Sequence, residues 1–206
     1  VWAAFDPKDD QYFGTPFWRP DGSSLLVQWM PREQNVLKLY DIDLITGKKE
    51  EIYNEIQPTW VVWIESLHWV KDGFMMIRDF DGWEQIYLHD SDGSLRQKLT
   101  SGRMWDTKII RVDEKSQQVY FTSKGEISTR NDFYRVGFNG KHQQRLTFGE
   151  YNHKNIMLSP DNRYFMTWYD NSSTPTRLGL VNVKNGKIKV LGDLKDSGID
   201  STKVGR

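Results

Sequence analysis

The chain of 206 residues contains no cysteine, which excludes disulfide bonds and cysteine-based zinc sites. It also contains no stretch of 18 apolar residues, so no helix of this chain is predicted to span a membrane. A cysteine-free chain is compatible with oxidising and with reducing compartments, so this absence defines no location. No secretory signal is recognisable, and because the first residue is Val1, we expect the sequence to be part of a longer chain.

An excess of charge of either sign is absent as well. The 28 basic and 28 acidic residues give a formal net charge of zero, and no long run of like charge occurs. We therefore expect neither a nucleic acid nor an anionic membrane surface as a partner. No segment shows a convincing amphipathic helical pattern.

Aromatic residues are abundant instead, at 14% of the chain. Short apolar runs rich in aromatic and β-branched residues lie between turn signals, which is typical of buried strands. Examples are SLLVQWM, GFMMI, QQVYFTS and RYFMTWY. The sequence therefore predicts an all-β fold.

The turn glycines repeat at a nearly constant distance of 46 or 47 residues. Each follows a residue that is common in turns and lies between two alternating runs, and Asn-Gly and Asp-Gly are typical of two-residue hairpins. The four pairs are Thr46-Gly47, Asp92-Gly93, Asn139-Gly140 and Asn185-Gly186. Two of the units also contain similar segments of sequence, DGSLRQKLTSG from Asp92 and NGKHQQRLTFG from Asn139.

Four strands in a repeat of roughly 46 residues are typical of β-propeller blades. We predict an all-β fold, a β-propeller fragment of about four four-stranded antiparallel blades, near 12–58, 59–103, 104–150 and 151–192, with 193–206 as a linker. A β-sandwich is the alternative, but it gives no reason for a constant long period. Four blades are the lower limit for a closed ring, so we expect this chain to form part of a larger one.

No catalytic motif is found in the sequence. A Gly-x-Ser-x-Gly nucleophile elbow is absent, so we predict no catalytic residue in this chain. The histidines are expected to have structural roles, and the two Asp-x-Asp-Gly runs are expected to be turns, since they lack the further oxygen ligands of a calcium loop. We predict no cofactor and no metal site. The histidines considered for such a site are His68, His89, His142 and His153, and the Asp-x-Asp-Gly runs are 79–82 and 90–93.

Two short features allow two interpretations each. The aromatic segment TWVVWIESLHW, from Thr59 to Trp69, could line a binding pocket or pack adjacent blades together. Asp41 and Asp43 point the same way from one strand, but acid–base chemistry would also need a cleft that perturbs a pKa.

Several stretches, in order, resemble the propeller of the dipeptidyl-peptidase IV branch of the prolyl oligopeptidase family, over about residues 12–192. They are PFWRPDGSSLLVQWMPREQNVLKLYDIDLITGK, IRDFDGWEQIYLHDSDG, RQKLTSGRMWDT, VYFTSKG and FMTWYDNSSTPT. The resemblance implies the later half of an eight-bladed propeller that caps a C-terminal α/β-hydrolase domain. Members of that family remove dipeptides from peptide N-termini with a Ser-Asp-His triad.

None of that triad lies in this sequence, and neither does the Asp-Trp-x-Tyr-Glu-Glu motif that holds the amine of the substrate in this family. Glu50-Glu51 lacks the flanking Trp and Tyr, so no role is transferred to it. The resemblance places a substrate-side loop near Trp63, Ile64 and Glu65. It also implies a hydrolase domain of the same parent chain and a peptide substrate as partners, and a periplasmic or secreted location.

Three hypotheses of function remain open at this point, the third being an acyl-aminoacyl peptidase or oligopeptidase relative with a different specificity. The first is a non-catalytic propeller portion of a serine exopeptidase, a hydrolase, which gates and walls the substrate cavity. The second is a non-enzymatic propeller module that binds a protein or peptide, since one fold hosts many functions. A homodimer that completes a ring from two copies is a further expectation.

Overall fold

The structure is a computed structural model, and it describes residues 3–192. The predicted linker at 193–206 lies outside the described residues. Residues 3–192 form strands, turns and loops without a helix, so no helix of this part of the chain could cross a membrane.

Seventeen strands form four antiparallel sheets. The first sheet has five strands, because two short pieces, β1 and β2, pair one after the other with β3. Its strands are β1 (Gln11–Phe13), β2 (Phe17–Trp18), β3 (Ser24–Pro31), β4 (Val36–Asp43) and β5 (Lys49–Ile56). The second sheet consists of β6 (His68–Val70), β7 (Gly73–Arg78), β8 (Gln85–Asp90) and β9 (Leu95–Lys98).

The third and fourth sheets have four strands each, in sequence order. The third contains β10 (Trp105–Asp113), β11 (Gln118–Lys124), β12 (Asn131–Gly137) and β13 (Gln144–Arg145). The fourth contains β14 (Asn152–Leu158), β15 (Tyr164–Asn171), β16 (Thr174–Asn182) and β17 (Ile188–Gly192). The predicted all-β fold of about four antiparallel sheets is confirmed.

The described part of the chain divides into two compact units, one of residues 3–78 and 86–98 and one of residues 79–85 and 99–192. In the first unit, sheets one and two share a core of buried side chains: Leu26, Met30, Leu37, Leu39, Tyr53, Val61, Ile64, Phe74 and Met76. Burial of each large side chain stabilises the fold by about 1.5–3 kcal/mol. A sheet that pleats apolar residues onto one face cannot bury them alone, so a neighbouring sheet covers that face.

The second unit repeats this arrangement with sheets three and four. Its core consists of Tyr120, Phe133, Leu146, Leu158, Phe165, Val181 and Val183. The rings of Phe133 and Phe165 meet edge to face with centroids 5.0 Å apart, a geometry that aromatic pairs prefer.

The periodic glycines do lie in hairpin turns, but the loops are longer than the two residues predicted. Backbone bonds close the turns across 43–48, 90–94, 137–141 and 182–187, so the loops hold three or four residues. Each glycine has a positive φ, between 68° and 87°, whereas the residue before it does not. That residue instead accepts a hydrogen bond through its side-chain oxygen from the amide two positions on, which is a local Asx or Ser/Thr turn.

The shared Leu-Thr-x-Gly ending has a packing role in the second unit. Leu99 and Leu146 are buried, while Thr100 donates a hydrogen bond of 2.7 Å to Gln85 and Thr147 one of 2.6 Å to Asp132. Each threonine lies two residues after the last strand of its sheet and bonds to a residue near the start of the preceding strand.

Gly93 is a position where only glycine fits. A Cβ there would lie 1.7 Å from the carbonyl oxygen of Ile52, and φ is +87°. Gly22 has a comparable φ of +71° with nothing within 4 Å of its Cβ position. Comparison of Gly93 with Gly22 therefore separates the free-energy cost of a side chain at positive φ from the free-energy cost of the contact with Ile52.

We expect Gly93→Ala to lower the free energy of unfolding more than Gly22→Ala does. Both variants carry the left-handed backbone cost of about 1–2 kcal/mol, and the contact with Ile52 adds roughly 1–3 kcal/mol to Gly93→Ala alone. Urea unfolding of both variants measures the difference. Equal losses would mean that the backbone relaxes around residue 93.

Candidate functional site

The segment 57–67 joins β5 to β6 and carries the residues predicted for the substrate side. It has no regular secondary structure, yet its side chains alternate sharply in exposure. Val61 and Ile64 are each 2% exposed, whereas Trp60 is 65% and Val62 54% exposed. The segment is thus pinned to the core by two apolar side chains and turns two others outward.

A buried ion pair lies beneath this segment. Arg78 Nε donates to Glu55 Oε2 at 2.7 Å, and each side chain is only 2% exposed. Tyr53 Oη donates to the same oxygen at 2.8 Å, and Gln57 Nε2 donates to Oε1 at 3.0 Å. Arg78 also bonds to the loop, since its Nη2 donates to the carbonyl of Val62 at 3.0 Å.

The network keeps the carboxylate of Glu55 charged. Burial alone would raise its pKa, but the hydrogen bond and charge of Arg78, with smaller contributions from Gln57 and Tyr53, lower the pKa below its usual value. Burial and the neighbouring carboxylate raise the pKa of Tyr53, so its hydroxyl remains a donor.

A second anchor comes from Gln28, which is fully buried. Its Oε1 accepts from the amide of Ile64 at 2.7 Å, and its Nε2 donates to the carbonyls of Ile64 at 3.1 Å and Thr15 at 2.9 Å. The carboxamide therefore bonds to both the amide and the carbonyl of Ile64, as the backbone of a neighbouring strand would. Buried backbone groups of an irregular segment need such partners.

The indole of Trp63 packs against the backbone at Gly14. A Cβ at position 14 would lie 2.6 Å from Trp63 Cε3, so the close approach requires glycine. Backbone bonds from Val61 to Gln34, at 2.8 Å, and from Gln57 to Asn35, at 2.9 Å, fix the start of the loop to the β3–β4 turn. The loop is therefore held along its length before any ligand arrives.

Comparison with known proteins identifies the family. The model for the dipeptidyl peptidase IV (DPP IV) N-terminal region matches residues 1–176. The chain belongs to this family.

Among relatives of this DPP IV N-terminal region, dipeptidyl peptidase 4 of Arthroderma otae is 29% identical over 143 residues, which cover 66% of this chain and 18% of that protein. Dipeptidyl peptidase 4 of Trichophyton rubrum is 28% identical over the same shares. The crystal structure of Porphyromonas gingivalis dipeptidyl peptidase 4 matches with a TM-score of 0.78 at 24% identity, covering 95% of this chain and 28% of that chain. The fold is a β-propeller fragment, and the chain spans about a fifth of the length of its curated relatives.

The three predicted substrate-side residues of this DPP IV region occupy different environments. Glu65 is exposed, Trp63 is half-buried, and Ile64 is buried in the core. The side chain of Ile64 therefore serves packing, and the surface of the loop is formed largely by Trp60, Val62 and Glu65. Contact of any of them with a substrate stays a prediction.

Sequence reasoning missed the groups that hold the loop. Glu55, Arg78 and Gln28 lie in separate strands, and no local pattern distinguishes them from other polar residues. For the segment from Thr59 to Trp69, the structure shows the packing role, since Val61 and Ile64 belong to the core of the first unit, whereas a binding pocket stays a prediction.

The other candidates lie in structural settings. His89 Nδ1 donates to the carbonyl of Gly93 and His153 Nε2 to that of Phe148, both at 2.9 Å. His68 is half-buried and His142 exposed. Within residues 3–192, no three potential ligands among His, Asp and Glu are grouped as a metal site would need.

Both Asp-x-Asp-Gly runs form turns. Gly82 and Gly93 donate their amides to the carbonyls of Asp79 and Asp90, at 2.8 and 2.9 Å. Asp92 accepts from the amide of Ser94 at 2.9 Å. In each run the second aspartate is used within the turn, since Asp81 likewise accepts from the amide of Trp83 at 3.3 Å.

We expect Arg78→Met to lower the free energy of unfolding by about 3–5 kcal/mol, because it leaves the Glu55 carboxylate buried without its cation. Arg32→Met is the control, since the Arg32–Asp10 pair is 69% and 61% exposed and exposed pairs contribute little. Chemical unfolding of both variants measures this. A small effect of Arg78→Met would show that water reaches Glu55.

The folded state should lose stability in acid in two steps. Burial lowers the pKa of His89 and of His153, partly opposed by their backbone hydrogen bonds, so below a pH of about 6.5 the unfolded chain binds protons that the folded chain resists. Stability is therefore full above that pH and declines as pH falls towards the folded pKa values. Glu55, with its lowered pKa, adds a second loss below a pH of about 4.3.

Unfolding free energies measured between pH 8 and pH 3 check this prediction. His89→Gln removes one titrating ring but keeps a donor, so the loss between pH 8 and pH 5 should be smaller in the variant. An identical loss would exclude His89 as a source.

Proposed function

We propose that this chain is the non-catalytic propeller portion of a serine exopeptidase of the DPP IV type. In this proposal it walls and gates a cavity in which a hydrolase domain of the same parent chain removes dipeptides from peptide N-termini. Membership of the DPP IV N-terminal region family supports the proposal. A periplasmic or secreted location is part of it.

The observation that carries the proposal is the rigid loop 57–67. It presents Trp60, Val62 and Glu65 outward while the Glu55–Arg78 pair and Gln28 hold its backbone. A surface that is ordered in advance pays less entropy when a flexible peptide binds. An exposed indole and an exposed carboxylate in one loop suit a peptide with an apolar side chain and a positive charge.

The first test separates this proposal from a non-enzymatic binding module. The 206-residue chain should leave a chromogenic Xaa-Pro substrate uncut, whereas the full-length protein should cleave it in a manner that serine-directed inhibitors block. Turnover by the chain alone would contradict the non-catalytic role. A full-length protein without activity would favour the binding module.

The second test addresses the loop. In the full-length protein, we expect Trp60→Ala and Glu65→Gln, at two exposed positions of the loop, to raise KM about three- to tenfold with little change in kcat, because binding that is equal in the ground state and the transition state is lost. Trp18→Ala is the control, since Trp18 is also an exposed indole, at 58% exposure, but belongs to β2 and not to the loop. Unchanged KM in both loop variants would remove these residues from the substrate side.

A homodimer stays a prediction that light scattering can examine. A strictly monomeric protein at micromolar concentration would contradict it.

A further inference from the structure

An open polar cavity of about 330 Å³ lies at the other end of the first sheet from the loop 57–67. It is formed between the turn that precedes β3 and the turn that joins β4 to β5. Its lining is charged and polar: Arg19, Ser23, Ser24, Asp41, Asp43, Lys48 and Glu50. A volume of this size suits a small ligand.

Two oxygen atoms in this cavity are buried without a hydrogen-bond partner among residues 3–192. They are the hydroxyl oxygen of Ser24, a residue that is 8% exposed, and Oδ1 of Asp41. Unmet polar atoms at such depth are uncommon in folded proteins and call for a specific explanation. Ser24 and Asp41 both belong to the lining of the cavity, so a donor bound there lies next to both side chains.

Arg19 forms a well-anchored part of the cavity lining. This guanidinium donates to Asp41 Oδ2 from Nε at 2.8 Å and from Nη2 at 2.5 Å, and Nη2 also donates to the carbonyl of Ser91 at 2.8 Å. Its planar group lies 5.8 Å from the ring centre of Trp69. With these contacts Arg19 is fixed beside Asp41, and both residues line the cavity.

The charge of the lining favours a cation. Glu50 lies directly opposite Asp41 in the β4–β5 ladder, and within residues 3–192 it makes no ion pair or side-chain hydrogen bond. Asp43 accepts from the amides of Ile45 and Thr46 at 2.9 and 2.6 Å, which lowers its pKa. Three carboxylates therefore face two cations, Arg19 and Lys48.

We propose that this cavity binds a guanidinium group, supplied either by a free small molecule or by an arginine side chain. The acceptors Ser24, Asp41 and Glu50 lie on three adjacent strands, with Asp41 opposite Glu50 and Ser24 opposite Asp43. A planar fork with five donors can bond to several separate acceptors at once, whereas an ammonium is a compact point charge. The site is independent of the proposed function, since it rests on the cavity alone.

Isothermal titration of methylguanidinium chloride into the full-length protein, against sodium chloride at equal ionic strength, tests the site. Glu50→Gln should weaken binding about two- to fivefold, and Lys48→Gln should tighten it by a similar factor, because they remove opposite charges at the edge of one cavity. Glu51→Gln is the matched control, since Glu51 lies next along β5 and pairs with Lys38. It should leave binding unchanged.

A blocked peptide, acetyl-Gly-Arg-Gly-amide, distinguishes the two sources. Binding at least as tight as that of methylguanidinium supports an arginine side chain, and binding of methylguanidinium alone supports a free small molecule. The proposal is overturned if neither probe binds, if all variants bind alike, or if Lys48→Gln weakens binding while Glu50→Gln tightens it, which would indicate an anion site.

Discussion

The buried pair of Glu55 and Arg78 is the interaction on which the organisation of the first unit depends. Removal of two charges from water is costly, and only good geometry with further hydrogen bonds offsets that cost. Here the carboxylate receives three donors and the guanidinium also holds a loop carbonyl. One network therefore fixes β5 against β7 and sets the position of the segment that connects their sheets.

Each unit combines an apolar core with a buried polar anchor, and the two act differently. Apolar packing supplies most of the stabilisation but tolerates small shifts, because it has no direction. Hydrogen bonds in a low-dielectric interior do have direction, and they penalise a shift of register. In the second unit Thr147 and Arg145 meet at Asp132, both through Oδ1. Thr100 makes the corresponding bond to Gln85, so the two copies of the Leu-Thr-x-Gly ending share one structural role.

What the sequence could predict was decided by the range of the interactions involved. The blades were predictable because positive-φ glycines and their Asx partners act within five or six residues. The buried pair was not, since Glu55 and Arg78 are 23 positions apart among 56 acidic and basic residues. Ile64 is held by Gln28, 36 positions earlier. The prediction of a substrate-side loop therefore gave no sign that Ile64 is buried. The hairpin length was wrong because a single positive-φ glycine also fits loops of three and four residues.

The first sheet has chemically different ends, and this difference follows from how each end is closed. At one end the β3–β4 turn holds the loop 57–67 by backbone bonds, so apolar side chains such as Trp60 can be presented without polar partners. At the other end, Asp43 accepts the amides of its own turn and Arg19 bonds to Asp41. The polar and charged side chains around them line the cavity. A rigid sheet between them keeps both surfaces in a fixed relation. Binding at either end would therefore meet an ordered surface rather than create one.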